Sequence, residues 1–387
     1  MKIDDKTSHN SPSLRFPEFT GEWEKCKLGT LATKVGSGST PKGGDAVYTS
    51  IGHYFVRSQN VGMGFLMLDN IAHINDDIHQ KHKATEIYEN DVLLNITGAS
   101  IGRTAVATKE LEGGNVNQHV CIIRTNSKVN PKFLCDYIQT QRIQNHIKSL
   151  QTGGSREGLN FEQIRSFPIS LPSINEQNKL TCLLDKINER IATQVRLIED
   201  LKKLRCAVSN KLFQSVKGVA IPLSGISNIV KGKQINGDFL ADVGEYYVMN
   251  GGTEPSGYYD NYNVEANTIS ISEGGNSCGY VQFNRMPFWS GGHCYTIQDI
   301  VSDVETLYLY HYLKSKEDSI MKLRIGTGLP NIQKKDLAEF KVIILAIEQQ
   351  RTISNILSLL ERKTEIEGRM LIAMRTEKQY LLRQMFI

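Results

Sequence analysis

Apolar residues in this chain recur in two registers, and each register occurs twice. From Leu180 the positions spaced alternately four and three apart are Leu180, Leu184, Ile187, Ile191, Gln194, Ile198, Leu201, Arg205, Val208 and Leu212. The same spacing runs through Ile353, Leu357, Leu360, Thr364, Glu367, Leu371, Met374, Lys378, Leu381 and Met385. A 3.5-residue period keeps one seam facing a partner helix, so both stretches are predicted as long coiled-coil helices. Each is about 40 residues, or roughly 60 Å at 1.5 Å per residue. A lone helix would expose its seam to water; two in one chain are expected to pack together, antiparallel. The interruptions also match: Gln194 corresponds to Glu367 and Arg205 to Lys378. Polar seam residues fix register and partner, or they mark where helices splay and water enters; both readings stay open.

Ahead of each helix the pattern shortens to that of strands. Residues 92–97 read as a strand, Gly98 to Gly102 turn the chain, and 103–107 return. The corresponding pieces are 268–272, the glycine-rich run 274–279, and 280–283. Helical stretches follow at 131–150 and 305–324, then glycine-bearing loops, then short strands at 167–171 and 340–345.

Sliding the sequence on itself by 173 residues aligns residues 130–213 with 303–386 without a gap. Tyr137 falls on Tyr310, Gly153 on Gly326, Phe167 on Phe340, Gln177 on Gln350 and Phe213 on Phe386. A repeated module followed by a repeated helix implies two similar working ends on one strut. The fold class is therefore α+β: two α/β modules in tandem, joined by two long helices forming an antiparallel coiled coil, with pseudo-twofold symmetry. The expected boundaries are a disordered tail at 1–13, a first module at 14–172, a first long helix at 173–215, a second module at 216–345 and a second long helix at 346–387.

Composition narrows the class. A hydrophobic fraction of 40% and a charged fraction of 22% are those of an ordinary soluble protein, and the formal charge of +4 permits nucleic-acid binding. No run approaches the length that spans a bilayer, and no targeting signal opens the chain. The cysteines, Cys26, Cys121, Cys135, Cys182, Cys206, Cys278 and Cys294, are scattered with no C-x-x-C, as in reduced cytoplasmic proteins.

Catalytic signatures are missing. There is no phosphate-binding G-x-x-x-x-G-K-[ST] loop. Asn130-Pro131-Lys132-Phe133 approaches an adenine-methyltransferase motif, but lysine replaces its second proline; Asn130 as helix cap with proline in the first turn explains it better. His79 and His82, near Asp76 and Asp77, have metal-like spacing without further ligands, and solvated surface is expected. The run 274–279 reads as a turn and not as a phosphate cradle. Cys278, Cys294 and His293 complete no nucleophile–base set.

The opening of the first long helix, Phe167-Pro168-Ile169-Ser170-Leu171-Pro172-Ser173-Ile174-Asn175-Glu176-Gln177, resembles that of specificity (S) subunits of type I restriction–modification enzymes. Ile343-Ile344-Leu345-Ala346-Ile347-Glu348-Gln349-Gln350 is a second copy, with Leu345 in place of proline. Val35-Gly36-Ser37-Gly38-Ser39-Thr40-Pro41, Asn250-Gly251-Gly252 and Asp91-Val92-Leu93 leading to Thr97-Gly98 are similar to that family as well.

The resemblance implies a non-catalytic, DNA-binding subunit in which each module is a target recognition domain reading half of a bipartite sequence. It implies that the coiled coil sets the unread spacer and seats two methyltransferase (M) subunits, joined by restriction (R) subunits. No cofactor is expected on this chain; S-adenosylmethionine, ATP and Mg are expected on the partners. The partners would be double-stranded DNA and these subunits, with no membrane, in the cytoplasm.

For DNA contact, loop residues with cationic or amide groups match phosphates and base edges. In the first module these are Lys34, Ser37, Ser39, Thr40, Lys42, Arg57, Ser58, Gln59, Asn60, Arg103, Asn117, Gln118, His119 and Arg156. In the second they are Lys231, Lys233, Asn250, Ser277, Arg285, His293, Lys322 and Arg324. Solvated loop positions have the same composition; Asn117 also suits a turn, and Lys322 and Arg324 a helix C-terminus. Two rival readings stay open: a pseudo-symmetric coiled-coil scaffold pairing protein partners, and the specificity subunit of a related restriction system.

Overall fold

The computed structural model describes residues 10–151, 158–326 and 330–387. The chain divides into two compact units, Met1–Thr193 with Leu371–Ile387, and Gln194–Met370. Each unit holds one module and a part of both long helices.

In the first unit four antiparallel strands lie in the order Ala32–Ser37, Val120–Thr125, Val92–Asn95, Thr104–Val106. All four residues of Val92–Asn95 are buried, which explains why that run lacks the alternation of a half-exposed strand. Val92 and Leu94 share a core with Phe133, Leu134 and Ile138 of the helical layer. Leu93 and Ile122 face the other way, into a core with Val56 and Val116. Those last two belong to a second sheet ordered Ala72–Ile74, His53–Val56, Asn115–Val116. A ribbon of Glu24–Lys27 and Pro168–Leu171 delivers the chain to the first long helix.

The second unit repeats this plan. Its sheets are ordered Asn228–Lys231, Cys294–Gln298, Thr268–Ser272, Val281–Asn284 and Tyr258–Tyr259, Tyr246–Met249, Trp289–Ser290, with a ribbon of Val219–Pro222 and Lys341–Ile344. The glycine turns also agree in backbone. Gly98 and Gly102 have φ of 69° and 84°, and Gly275 and Gly279 have 74° and 88°, left-handed values that favour glycine.

Several local expectations hold and others need correction. Asn130 caps Pro131–Gln139, its carboxamide oxygen accepting from the Lys132 and Phe133 amides, with proline in the first turn. The helix expected at 131–150 is two, Pro131–Gln139 and Gln141–Gln151, because Thr140 takes an extended ψ of 146° and bonds its hydroxyl to the Tyr137 carbonyl. Its counterpart is likewise divided into Thr306–Ser315 and Glu317–Met321. Residues 10–13, read as the end of a loose tail, are anchored: the Asn10 carbonyl accepts from the Trp23 amide at 2.8 Å and its side chain bonds the Trp23 carbonyl.

His79 is not on a solvated surface. It is 2% exposed, stacked 3.8 Å from His53, with Nδ1 on the Asn115 carboxamide at 2.8 Å. Neither metal binding nor solvation explains it; a packed, hydrogen-bonded imidazole does.

The long helices are Ile174–Ser215 and Ile347–Gln384, 42 and 38 residues. Every predicted seam position on both is buried or half-buried. In the first unit Leu180 and Leu184 share a core with Leu382 and Met385. In the second, Phe213 shares one with Ile353 and Leu357. The start of each helix thus meets the end of the other, the antiparallel arrangement.

The repeated glutamine at the helix openings is a latch. Gln177 is fully buried; its Oε1 accepts from the Asn130 amide at 2.8 Å, and its Nε2 donates to the Lys128 and Pro172 carbonyls at 3.1 and 2.9 Å. Gln350, also fully buried, does the same with the Glu305 amide and the Asp303 and Leu345 carbonyls, each at 2.8 Å. Each latch joins helix, strand end and module in one side chain. Beside the first, Glu176 is gripped by Arg15 through two bonds of 2.7 Å.

Candidate nucleic-acid interface

In each module the loops at one end of the four-stranded sheet gather around a histidine. The Ile96 amide donates to the His119 carbonyl at 3.0 Å, and the Glu273 amide to the His293 carbonyl at 2.9 Å. That shared bond makes His119 and His293 equivalent positions, and Ile96 equivalent to Glu273.

In the first module the histidine is the middle of a polar chain. Thr97 Oγ1 lies 2.6 Å from His119 Nδ1; Gln118 Nε2 lies 3.1 Å from His119 Nε2; the Thr40 hydroxyl bonds Gln118 Oε1. Ser39 Oγ sits 3.3 Å from His82 Nε2 on the flank. These side chains come from four segments of the chain, and Gly38 lets the first of them approach the backbone before Gln118. A Cβ there would lie 1.6 Å from the Val116 carbonyl oxygen, and the Gly38 amide bonds the Asn117 carbonyl.

The second module puts charge at the same place. Glu273 is 7% exposed; its Oε1 accepts from Lys231 Nζ at 2.6 Å and from the Tyr295 hydroxyl at 3.1 Å, while Oε2 faces His293 Nδ1 at 3.7 Å. The His293 amide donates to the Asn250 carboxamide at 3.2 Å. Gln234 lies over Gly292, where a Cβ would be 2.4 Å from its Oε1.

The predicted residues therefore fall into several groups. Ser39, Thr40, Gln118 and His119 are brought together, as are Lys231, Asn250 and His293. Ser37 ends its strand beside them, opposite Cys121. Lys42, Gln59, Arg103, Lys233, Lys322 and Arg324 are exposed, with Arg103 following the Gly98 turn and Lys322 at the end of Glu317–Met321. Ser277 closes the matching Gly275 turn.

Others are held in structural bonds. Asn60 is 2% exposed, taking the Arg57 amide and donating to the Met67 carbonyl. Ser58 offers its carbonyl to Asn95. Asn117 is buried and accepts from the His119 amide. Lys34 Nζ donates to the Ala84 carbonyl at 2.5 Å, and burial together with Arg124 lowers its pKa. Arg57 lies over the Tyr48 ring at 5.5 Å. Arg285 reaches Glu365 and Glu361 of the second long helix at 3.4 and 3.9 Å. Arg156 lies outside the described residues.

Thr97, His82, Gln234 and Glu273 are not among the residues predicted for DNA contact, although His82 carries the metal-like spacing from His79 and Thr97 belongs to a stretch that carries the family resemblance. Glu273 left one signal, an acidic residue between a strand and a glycine turn; the others depend on which loops meet.

Burial pushes the Cys121 and Cys135 thiols up to about 12 and Cys294 to about 11, so they stay protonated and unreactive at neutral pH. Among the described residues no group of three or more His, Cys, Asp or Glu side chains is placed to hold a metal ion.

The sequence matches the family described as type I restriction modification DNA specificity domain twice, over residues 20–203 and 219–373. A protein of Mycoplasma pneumoniae named as a type I specificity subunit is 33% identical over 145 residues, covering 37% of this chain and 38% of that protein. A protein of Mycoplasma genitalium with the same designation is 23% identical over 307 residues, covering 75% of this chain and 79% of it. The crystal structure of the type I restriction–modification S subunit from M. genitalium superposes with a TM-score of 0.66 at 20% identity, covering 97% of this chain and 99% of that one.

Proposed function

Because the chain belongs to the type I restriction–modification DNA specificity family, we propose that it is the DNA-reading subunit of such a system. Each module reads one half of a bipartite duplex target through the loops around His119 or His293. The paired long helices set the unread spacer. The observation that carries this reading is the duplicated loop cluster: one backbone frame, two different sets of side chains, as expected of a protein reading two different half-sites.

Modification and cleavage belong to partner subunits in this reading. Two methyltransferase subunits bind S-adenosylmethionine, restriction subunits use ATP and Mg, and this cytoplasmic chain contributes no catalytic group. Exposed apolar side chains on the second long helix support protein partners there: Ile356, Leu359, Ile366 and Met370 are 39%, 67%, 43% and 49% exposed. Such residues on a helix otherwise clothed in charge mark a contact surface.

The experiment is co-expression with the methyltransferase subunit of its own system, followed by mapping of methylated adenines across the host DNA. A split motif with a fixed gap that disappears when this chain is omitted is the expected result. A stable complex without any sequence preference would favour the scaffold reading instead.

A further inference from the structure

Gln118 occupies an unusual position for an exposed amide. Its Oε1 is bonded by the Thr40 hydroxyl and its Nε2 by His119, whose other nitrogen is bonded by Thr97. Because the Gln118 amide nitrogen can only donate, His119 Nε2 accepts from it and the imidazole carries its proton on Nδ1, which donates to Thr97 Oγ1. A carboxamide carries two N–H donors and two carbonyl lone pairs. One of each is engaged, so one donor and one acceptor remain on an exposed group. Thr40 and His119 also limit the rotamers that a free glutamine would lose on binding.

An adjacent donor and acceptor match the acceptor–donor pair, N7 and N6–H, that adenine presents in the major groove. Guanine offers two acceptors there and requires two donors. We infer that Gln118, held by Thr40 and His119, is the residue through which the first module specifies an adenine in its half-site. The inference rests on the DNA-reading function proposed above. The second module supplies a parallel: Gln234 covers Gly292, next to the equivalent His293. Both modules place a carboxamide at this point of the frame, although they deliver it from different loops.

The test is selection of bound duplexes from a random library, using the full-length chain in complex with the methyltransferase subunit of its own system. The parent is expected to enrich a bipartite motif with an invariant adenine in one half. Gln118→Ala lowers the preference for that adenine by about tenfold or more, the range of one bidentate base contact. Gln118→Arg moves the preference to guanine, and Thr40→Val weakens it less than Gln118→Ala does. The other half-site persists in every variant and reports that the chain is folded. A motif unchanged by Gln118→Ala, or a change confined to a base other than adenine, overturns the inference alone. Loss of both halves together assigns Gln118 a folding role and overturns it too. A parent that selects no motif overturns the DNA-reading function, and this inference with it.

Discussion

Gln194 bonds its own counterpart: its Nε2 donates to the Glu367 carboxylate at 2.6 Å and to the Glu367 main-chain carbonyl at 3.0 Å, and the two positions are 173 residues apart, the offset of the repeat. Both are buried in the helix seam. These two interruptions are therefore paired, as register marks should be, whereas Arg205 and Lys378 bond Glu361 and Gln139 and not each other. Leucine at position 194 leaves the Glu367 carboxylate with Lys363, 2.5 Å away on the same helix. Gln194→Leu is expected to lower the thermal midpoint, and Gln194→Leu combined with Glu367→Leu to restore it, because removing both partners leaves nothing unsatisfied. Thermal unfolding of the parent and both variants decides this; a double variant less stable than the single would refute it.

The latches give a matched pair of predictions. Gln177→Ala leaves one main-chain amide and two carbonyls without a buried partner, and Gln350→Ala does the same in the other module. Each is expected to cost roughly 2–4 kcal/mol by chemical unfolding. A loss below about 1 kcal/mol would mean that water replaces the side chain.

Asp136 predicts a pH dependence. It is 5% exposed, and burial pushes its carboxyl up to about 7 against the pull of Lys378. Its folded value lies above its unfolded one, so the fold favours the protonated form. Its contribution is fully present below the ordinary carboxylate pKa, declines as pH rises towards 7, and is flat beyond. Asp136→Asn removes that decline and is expected to exceed the parent in stability at about pH 8 but not at about pH 4. Urea unfolding at both values checks it, and equal differences at the two would count against it.

Two nearby glycines separate close approach from simple flexibility. A Cβ at Gly38 would lie 1.6 Å from the Val116 carbonyl oxygen, whereas one at Gly36 meets nothing within 4 Å. Gly38→Ala is expected to cost about 1–3 kcal/mol and to blur one half of the target. Gly36→Ala should be neutral or stabilise by up to about 1 kcal/mol. Equal effects in unfolding and duplex selection would show that the loop moves aside.

Much of the frame was legible because it is periodic. The seam could be read from Leu180 to Leu212 since a 3.5-residue repeat has one structural solution, and the cap at Asn130 since its chemistry is local. The division at Thr140 was not legible, because threonine is tolerated within helices and only its extended ψ and bond to Tyr137 end this one. His79 escaped because its burial depends on His53 and Asn115, which are distant in sequence. The candidate site divides in the same way. Loop position offered Gln118, His119 and His293 as candidates, but could not separate them from Asn60 and Asn117, polar residues buried to hold turns. Composition marks a residue as able to hydrogen-bond; only the fold decides whether its partner is inside or outside.

The latch glutamines ask nothing of their partners' side chains. Every group that Gln177 and Gln350 bond is main-chain, and a main-chain amide or carbonyl is available whatever residue carries it. A module grafted from a distant relative, or one whose loops have drifted beyond recognition, would still present the same three anchor points. The latch, unlike the Arg15–Glu176 pair beside it, is indifferent to sequence on its module side, so a module can change what it presents without changing how this bond is made.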